Sequence, residues 1–407
     1  MKIKAAVSFW LVCILASALI GFGSSLFLQS LDWVTKQRIQ NDNWLLLLPL
    51  AGLLIGYVYH RWGQTITKGN NLLLDEFHVP QGGIPFKMSV FIFGSTLLTH
   101  LVGGSAGREG TAVQMGGAIA HPFKHFLKAN SYPTKILIVI GISAGFAAVF
   151  GTPWAATIFA LEVIWVGKSW YKYLLPSLVS AIVAHYSCLF FGSNHTEYLN
   201  PILPAISFTT FLWIIPAAIA FGLTARLFTS CVHWVQTLFK KQVSYPPLRP
   251  AMGGVIILIF ALLFNLKPYL GLGIPSIIDS FEYAQSYEVW LLKLGLTALT
   301  LGSGFKGGEV TPLFFIGATL GSALSLWLPL PVSFLAAIGF VAVFAGAANT
   351  PIACAIMGME LFGFEIGLFV LLSTIIAYYF SGKQGIYASQ KLLIPKFDLP
   401  LNRNRNK

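Results

Sequence analysis

Long apolar runs alternate along this chain with short polar joints and glycine breaks. Residues 5–27, 44–57, 88–102, 136–150, 173–191 and 208–235 read as apolar helical spans. The runs 253–266, 289–302, 313–328, 334–347 and 366–380 continue the pattern. A helix needs about 20 apolar residues to cross the hydrocarbon layer. Several runs fall short of that or are interrupted by glycine, so they are predicted not to cross alone. Polar joints are expected at 36–43, 61–68, 75–86 and 240–250, and a proline-bounded joint at 193–204 lies near the midpoint. The pattern predicts an all-α integral membrane protein with broken helices.

Composition agrees. The 407 residues are 56% hydrophobic and only 10% charged, against about 25% charged in a soluble domain. The net charge of +12 would suit a nucleic-acid partner. Its basic residues, however, are scattered over inter-helix joints, as positive-inside topology predicts. Arg61 with Lys68, Lys124 with Lys128 and Lys135, Lys168 with Lys172, Lys240 with Lys241 and Arg249, and the tail 403–407 are placed on the cytoplasmic side. Lys36 with Arg38 fits neither side by counting. The apolar run after Met1-Lys2-Ile3-Lys4 is longer than a signal-peptide core and is read as a retained first helix. Cys13, Cys188, Cys231 and Cys354 are far apart and read as small buried hydrophobes. No metal-binding, cofactor-binding or nucleophile motif is present, which argues against an enzyme.

Charge inside the apolar pattern marks the chemistry. Gly103-Gly104-Ser105-Ala106-Gly107-Arg108-Glu109-Gly110-Thr111 puts two ionisable residues between apolar runs, where they are costly and point to function. The second half echoes the first. Ala144, Phe146, Ala147, Thr152, Pro153, Ala155, Ile158 and Glu162 recur 198 positions later as Ala342, Phe344, Ala345, Thr350, Pro351, Ala353, Ile356 and Glu360. Gly107, Glu109 and Thr111 recur 200 positions later as Gly307, Glu309 and Thr311. Gly69 and Gly271 each open a glycine turn. Paired broken segments in two halves are the mark of a transporter or channel with its site at the repeat interface. The division expected is 1–195 for the first repeat, 196–205 for the linker, 206–390 for the second repeat, and 391–407 for a basic cytoplasmic tail.

Helices beginning after Gly69, at Gly110 and at Val310 would present free N–H groups and positive dipole ends, an arrangement that holds anions. Asn70, Thr111 and Thr311 could add donors. Glu109 would repel an anion there unless it takes up a proton, which would couple anion movement to proton movement. The bland alternative ties Glu109 to Arg108 or to backbone; adjacent residues within a helix do not face each other. Glu309 has the same two readings, with Lys306 as partner. Glu162 and Glu360 read as structural caps. His100 reads as packing or as a proton relay.

These motifs resemble the CLC family of chloride channels and proton-coupled anion antiporters. Gly107-Arg108-Glu109-Gly110 is similar to the family's GREGP, with Thr111 for proline. Gly307-Gly308-Glu309-Val310-Thr311-Pro312 stands in the place of GGxFxP, and Gly69-Asn70-Asn71 in the place of GSGIP, with Asn70 for serine. Gly385-Ile386-Tyr387-Ala388 resembles the segment of the pore tyrosine. Val163 stands where chloride/proton exchangers carry an inner glutamate. Together these departures resemble the fluoride-exporting branch. The resemblance implies a fold of two inverted-topology repeats with broken and tilted helices, and export of fluoride in exchange for protons. It further implies Glu109 as the gating, proton-exchanging residue. Asn70, Arg108, Gly110, Thr111, Glu309, Val310, Thr311 and Tyr387 would line the anion path. A homodimer in lipid, in a bacterial inner (plasma) membrane, is the expected assembly. The alternative is a chloride or nitrate/proton exchanger, or a passive anion channel, of the same fold.

Overall fold

A computed structural model describes residues 2–80, 82–127, 131–165, 167–392 and 396. Lys128, the 403–407 cluster and most of the expected 391–407 tail lie outside the described residues, as do the side chains of Lys2, Lys4 and Lys168. Among the described residues there are sixteen α-helices and one isolated β-bridge.

The first helix, α1, runs Lys2–Gln40, so the polar joint expected at 36–43 is instead mostly helix. Neither glycine nor proline interrupts residues 24–40, and an exposed Asp32–Lys36 pair at 2.6 Å sits one helical turn apart on its surface. The helix stops before Asn41, whose side chain caps the next turn. At 1.5 Å per residue α1 is about 58 Å long, well beyond the roughly 30 Å hydrocarbon layer. After α2 (Leu48–Trp62) comes the short α3 (Asn70–His78). Here too helix extends into an expected joint, because Phe77 continues the buried face of Leu73 and Leu74. Next are α4 (Lys87–Leu101), α5 (Glu109–Ala120), α6 (Ser131–Phe150), α7 (Pro153–Ile164) and α8 (Tyr171–Phe190). A segment without helix or strand then leads to α9 (Phe208–Gln242), the counterpart of α1. The series continues with α10 (Leu248–Leu263), α11 (Ile274–Glu282), α12 (Tyr287–Ser303), α13 (Val310–Leu324), α14 (Val332–Ala348), α15 (Pro351–Phe362) and α16 (Gly367–Phe380). Four helical stretches, 5–40, 42–62, 171–190 and 208–242, are long and apolar enough to cross a membrane. Among the described residues, shorter apolar helices such as α13 to α15 are not.

Glycine lets the central helices touch backbone to backbone. A methyl group on Gly116 of α5 would overlap the Gly141 carbonyl of α6, and one on Gly317 of α13 would overlap the Gly339 carbonyl of α14. Small residues at these points replace the hydrophobic drive that lipid removes. The same contact in both halves shows that they share a plan.

Glu162 at the end of α7 accepts hydrogen bonds from the Ile352 and Ala353 N–H groups that open α15, at 3.2 and 2.8 Å. Glu360 at the end of α15 accepts from Trp154 and Ala155 at the start of α7, at 3.2 and 2.9 Å. The two repeats are stapled by this exchange.

Contacts also sort the charges onto two faces. Trp62 accepts from Lys87, His60 packs on Tyr245, and Lys68 pairs with Asp75. Arg61 and the 240–249 basic joint therefore share a face. At the other end of α2, Lys267 pairs with Asp42, and Arg38 lies beside Gly271. Lys36 and Arg38 thus belong to the face opposite Arg61.

Candidate functional site

The loops ahead of α5 and α13 meet in the middle of the molecule. Gly107 N–H donates to Gly308 O at 2.6 Å, and Gly308 N–H to Gly107 O at 2.8 Å, which makes the lone antiparallel bridge. Both loops spend buried backbone polar groups on each other, as burial requires. This bridge sets the first turns of α5 and α13 against each other. A third helix start joins them. Gly69, at φ 57° and ψ −131°, occupies a region that side chains disfavour and turns the chain into α3, with Asn70 as its first residue. A methyl on Gly110 would lie 3.0 Å from Gly308 Cα and 3.3 Å from both Asn70 Nδ2 and Glu309 Oε2. Three helix N-termini, an amide and a carboxylate thus converge where glycine leaves room.

Glu109, the first residue of α5, is completely buried. Its Oε2 accepts from Thr311 N–H at 3.1 Å and from the Thr311 hydroxyl at 2.5 Å. The carboxylate therefore occupies the N-terminus of α13, where free N–H groups and the helix dipole favour negative charge. Its Oε1 takes a bond from Arg108 Nε at 3.4 Å. The two neighbours do face each other, contrary to the expectation from helix geometry. Arg108 is the cap residue just ahead of α5, and its side chain folds back.

A cavity of about 200 Å³ opens below this point, on the face that carries Lys68. Asn70, Gln114, His233, Lys306, Glu309 and Tyr387 are among its lining residues, whereas Glu109 does not line it. Asn70 is nearly buried, and its Oδ1 has no partner. Glu309 Oε2 is likewise buried without a partner. The Lys306 ammonium sits 4.4 Å from the Tyr59 ring centre instead of pairing with Glu309. Tyr387 is buried and lines the same cavity.

Across the expected family motif, the profile described as "Voltage gated chloride channel" matches residues 51–382. The chain belongs to this family. A family relative, the "Chloride/fluoride channel protein" of Pseudomonas syringae pv. tomato, is 45% identical over 394 residues, covering 95% of this chain and 87% of the relative. A "CLC-type fluoride/proton antiporter" of known structure is 34% identical with a TM-score of 0.91, covering 95% of this chain and 98% of that one. A "slow cyanobacterial Cl-/H+ antiporter" has a TM-score of 0.79 at 20% identity and covers 92% of this chain and 94% of its own. That last likeness concerns the fold alone. The CLC fold of two inverted repeats, expected from the resemblance, is the fold of this family member.

The structure brings Asn70, Glu109, Gly110, Glu309 and Thr311 to one point and Tyr387 to the cavity beneath it. Thr111 is placed differently from its repeat partner. Its hydroxyl lies 2.9 Å from that of Thr96, away from Glu309. Val310 is buried, as is Val163. His100 is buried with Nε2 unpartnered, and its Nδ1 lies 3.8 Å from a methyl position on Gly271. Two polar residues went unnoticed in the sequence. Lys293 is fully buried in α12 and donates to the Tyr269 and Gly271 carbonyls at 3.0 and 2.6 Å. An ionisable residue inside the 289–302 apolar run was the available signal. Thr196 accepts from Arg108 Nη2 at 3.1 Å; nothing local in the sequence marks it.

Proposed function

We propose that this family member is a fluoride/proton antiporter that carries fluoride out of a bacterial cell and protons in, with Glu109 as the gate. The Glu109 carboxylate, seated on the Thr311 N–H and hydroxyl, carries the reading. A carboxylate in that seat stands in for the transported anion. When it takes a proton and leaves, the same donors are free for a small anion.

The remaining assignments follow the path. Asn70, whose Nδ2 faces Gly110, offers donors to a small, strongly hydrated anion. Glu309, Val310, Gly110 and Thr311 surround the crossing point, Tyr387 lines the approach, and Arg108 steadies the gate. Thr111 supports the loop through Thr96. The division into repeats 1–195 and 206–390 about the linker 196–205 suits this central site. The named activity of the 34%-identical antiporter supports fluoride as substrate. A homodimer in the cytoplasmic membrane, with the basic 61–68 and 240–249 joints inside, completes the proposal.

The test is flux in liposomes holding the purified full-length protein, loaded with fluoride and chloride. Fluoride efflux should drive protons inward and acidify the lumen, while chloride stays. Chloride efflux matching fluoride would remove the specificity and leave a chloride exchanger or channel. Fluoride efflux with no change in luminal pH would remove the antiport.

A further inference from the structure

The segment between α8 and α9 does more than join two repeats. It carries neither helix nor strand from 193 to 207 and is pinned at both ends. On the first repeat, the Ser193 hydroxyl lies 2.8 Å from that of Ser25, and His195 Nε2 lies 3.0 Å from the Ala148 carbonyl. On the second repeat, the Tyr198 ring packs against Phe281, Phe340 and Phe362, and Ile202 N–H donates to Ser333 Oγ at 3.0 Å. Thr196 lies between these anchors. Its hydroxyl holds Arg108 Nη2 at 3.1 Å, and the Nε of the same guanidinium reaches Glu109 Oε1 at 3.4 Å. The chain of contacts runs from both repeats, through the pinned segment, to the buried carboxylate.

A guanidinium is planar and rigid, so fixing one nitrogen limits where the others point. The bond to Thr196 is the shorter of the two, and the bond to Glu109 is long for a charge-assisted one. When Glu109 leaves Thr311, Arg108 is therefore built to stay behind. We propose that Thr196 is a positioning residue, holding Arg108 as a fixed counter-charge from which Glu109 departs and to which it returns. The proposal rests on Glu109 being the gate. Freed from Thr196, the guanidinium follows the carboxylate or turns to solvent. The gate then loses its fixed reference, and anions pass without the matching proton.

Thr196→Val removes the acceptor at nearly constant volume, and Thr196→Ser keeps it. Each is made in wild-type protein and in Glu109→Gln, and fluoride efflux and luminal pH are recorded in liposomes. Thr196→Ala repeats the measurement should the valine variant fail to fold. Thr196→Val should lower the protons moved per fluoride about tenfold or more, the scale of one hydrogen bond to a charged group, and Thr196→Ser should restore them. In the Glu109→Gln background the valine should change fluoride flux by less than about twofold, because the two residues act through one path. Unchanged coupling in Thr196→Val and Thr196→Ala overturns the proposal. So does an equal change of flux with and without the Glu109 carboxylate, which would mark Thr196 as structural only. A wild-type protein that moves neither fluoride nor chloride removes the transport reading first, and this role with it.

Discussion

Glu162 and Glu360 each take two backbone N–H groups from the helix of the opposite repeat, all four distances lying between 2.8 and 3.2 Å. Glu109 and Glu309 are related by the same internal symmetry but are held in different ways. Glu109 has one backbone donor, with a hydroxyl and a guanidinium as its other partners. Glu309 keeps an oxygen with no partner. The divergence starts at the two threonines. Thr311 gives its hydroxyl to Glu109, whereas the Thr111 hydroxyl is paired with that of Thr96. Backbone donors at a helix start cannot rotate away, so the outer pair is fixed. Side-chain donors can, so the inner pair is free to change partners. A buried charge that is fully bonded to backbone serves structure, and one bonded partly to side chains can serve a moving gate.

The largest test of this contrast is Glu109→Gln. Glutamine has the same shape and can still accept from Thr311, but it cannot exchange protons. Fluoride should cross such a variant while opposing proton movement falls to the level of empty vesicles, followed by luminal pH. Losing the charge-assisted bonds should also cost about 1–3 kcal/mol of stability. A Glu109→Gln protein that still drives protons against a fluoride gradient would show that the gate lies elsewhere.

The outer pair should respond differently. Glu162→Gln and Glu360→Gln each exchange a doubly accepting carboxylate for a group with one acceptor oxygen. Each should therefore lower stability by about 1–2 kcal/mol, read by thermal unfolding, and the two losses should match. Coupling should survive both. Loss of coupling in Glu162→Gln alone would break the comparison, because symmetry would then fail at the caps as well.

Much of this plan is visible in the residues alone. Proline, glutamate and glycine recur at nearly fixed shifts: Pro153 and Pro351 open α7 and α15, and Glu162 and Glu360 each cap the helix of the other repeat. The Arg108–Glu109 contact was visible only as the alternative reading, because the rule against neighbours facing each other presumes that both lie inside the helix, and Arg108 is the cap ahead of it. The length of α1 was hidden because the polar surface of its last turns looks like a loop. Thr196 was hidden because its partner is 88 residues away, and only the folded linker brings them together.

The smallest expected effect is the most discriminating. Glu309 is buried in part, its Oε2 accepts nothing, and Lys306 is turned to the Tyr59 ring. A buried carboxylate oxygen with an empty acceptor carries its own desolvation penalty. Glu309→Gln removes that charge, and the amide's donor can face the polar cavity. Stability should stay level or rise by up to about 1 kcal/mol, the opposite sign from the caps. If thermal unfolding instead shows a loss as large as that of Glu360→Gln, then Glu309 has a fixed partner after all. The inner pair would then be as structural as the outer one, and the distinction would narrow to Glu109 alone.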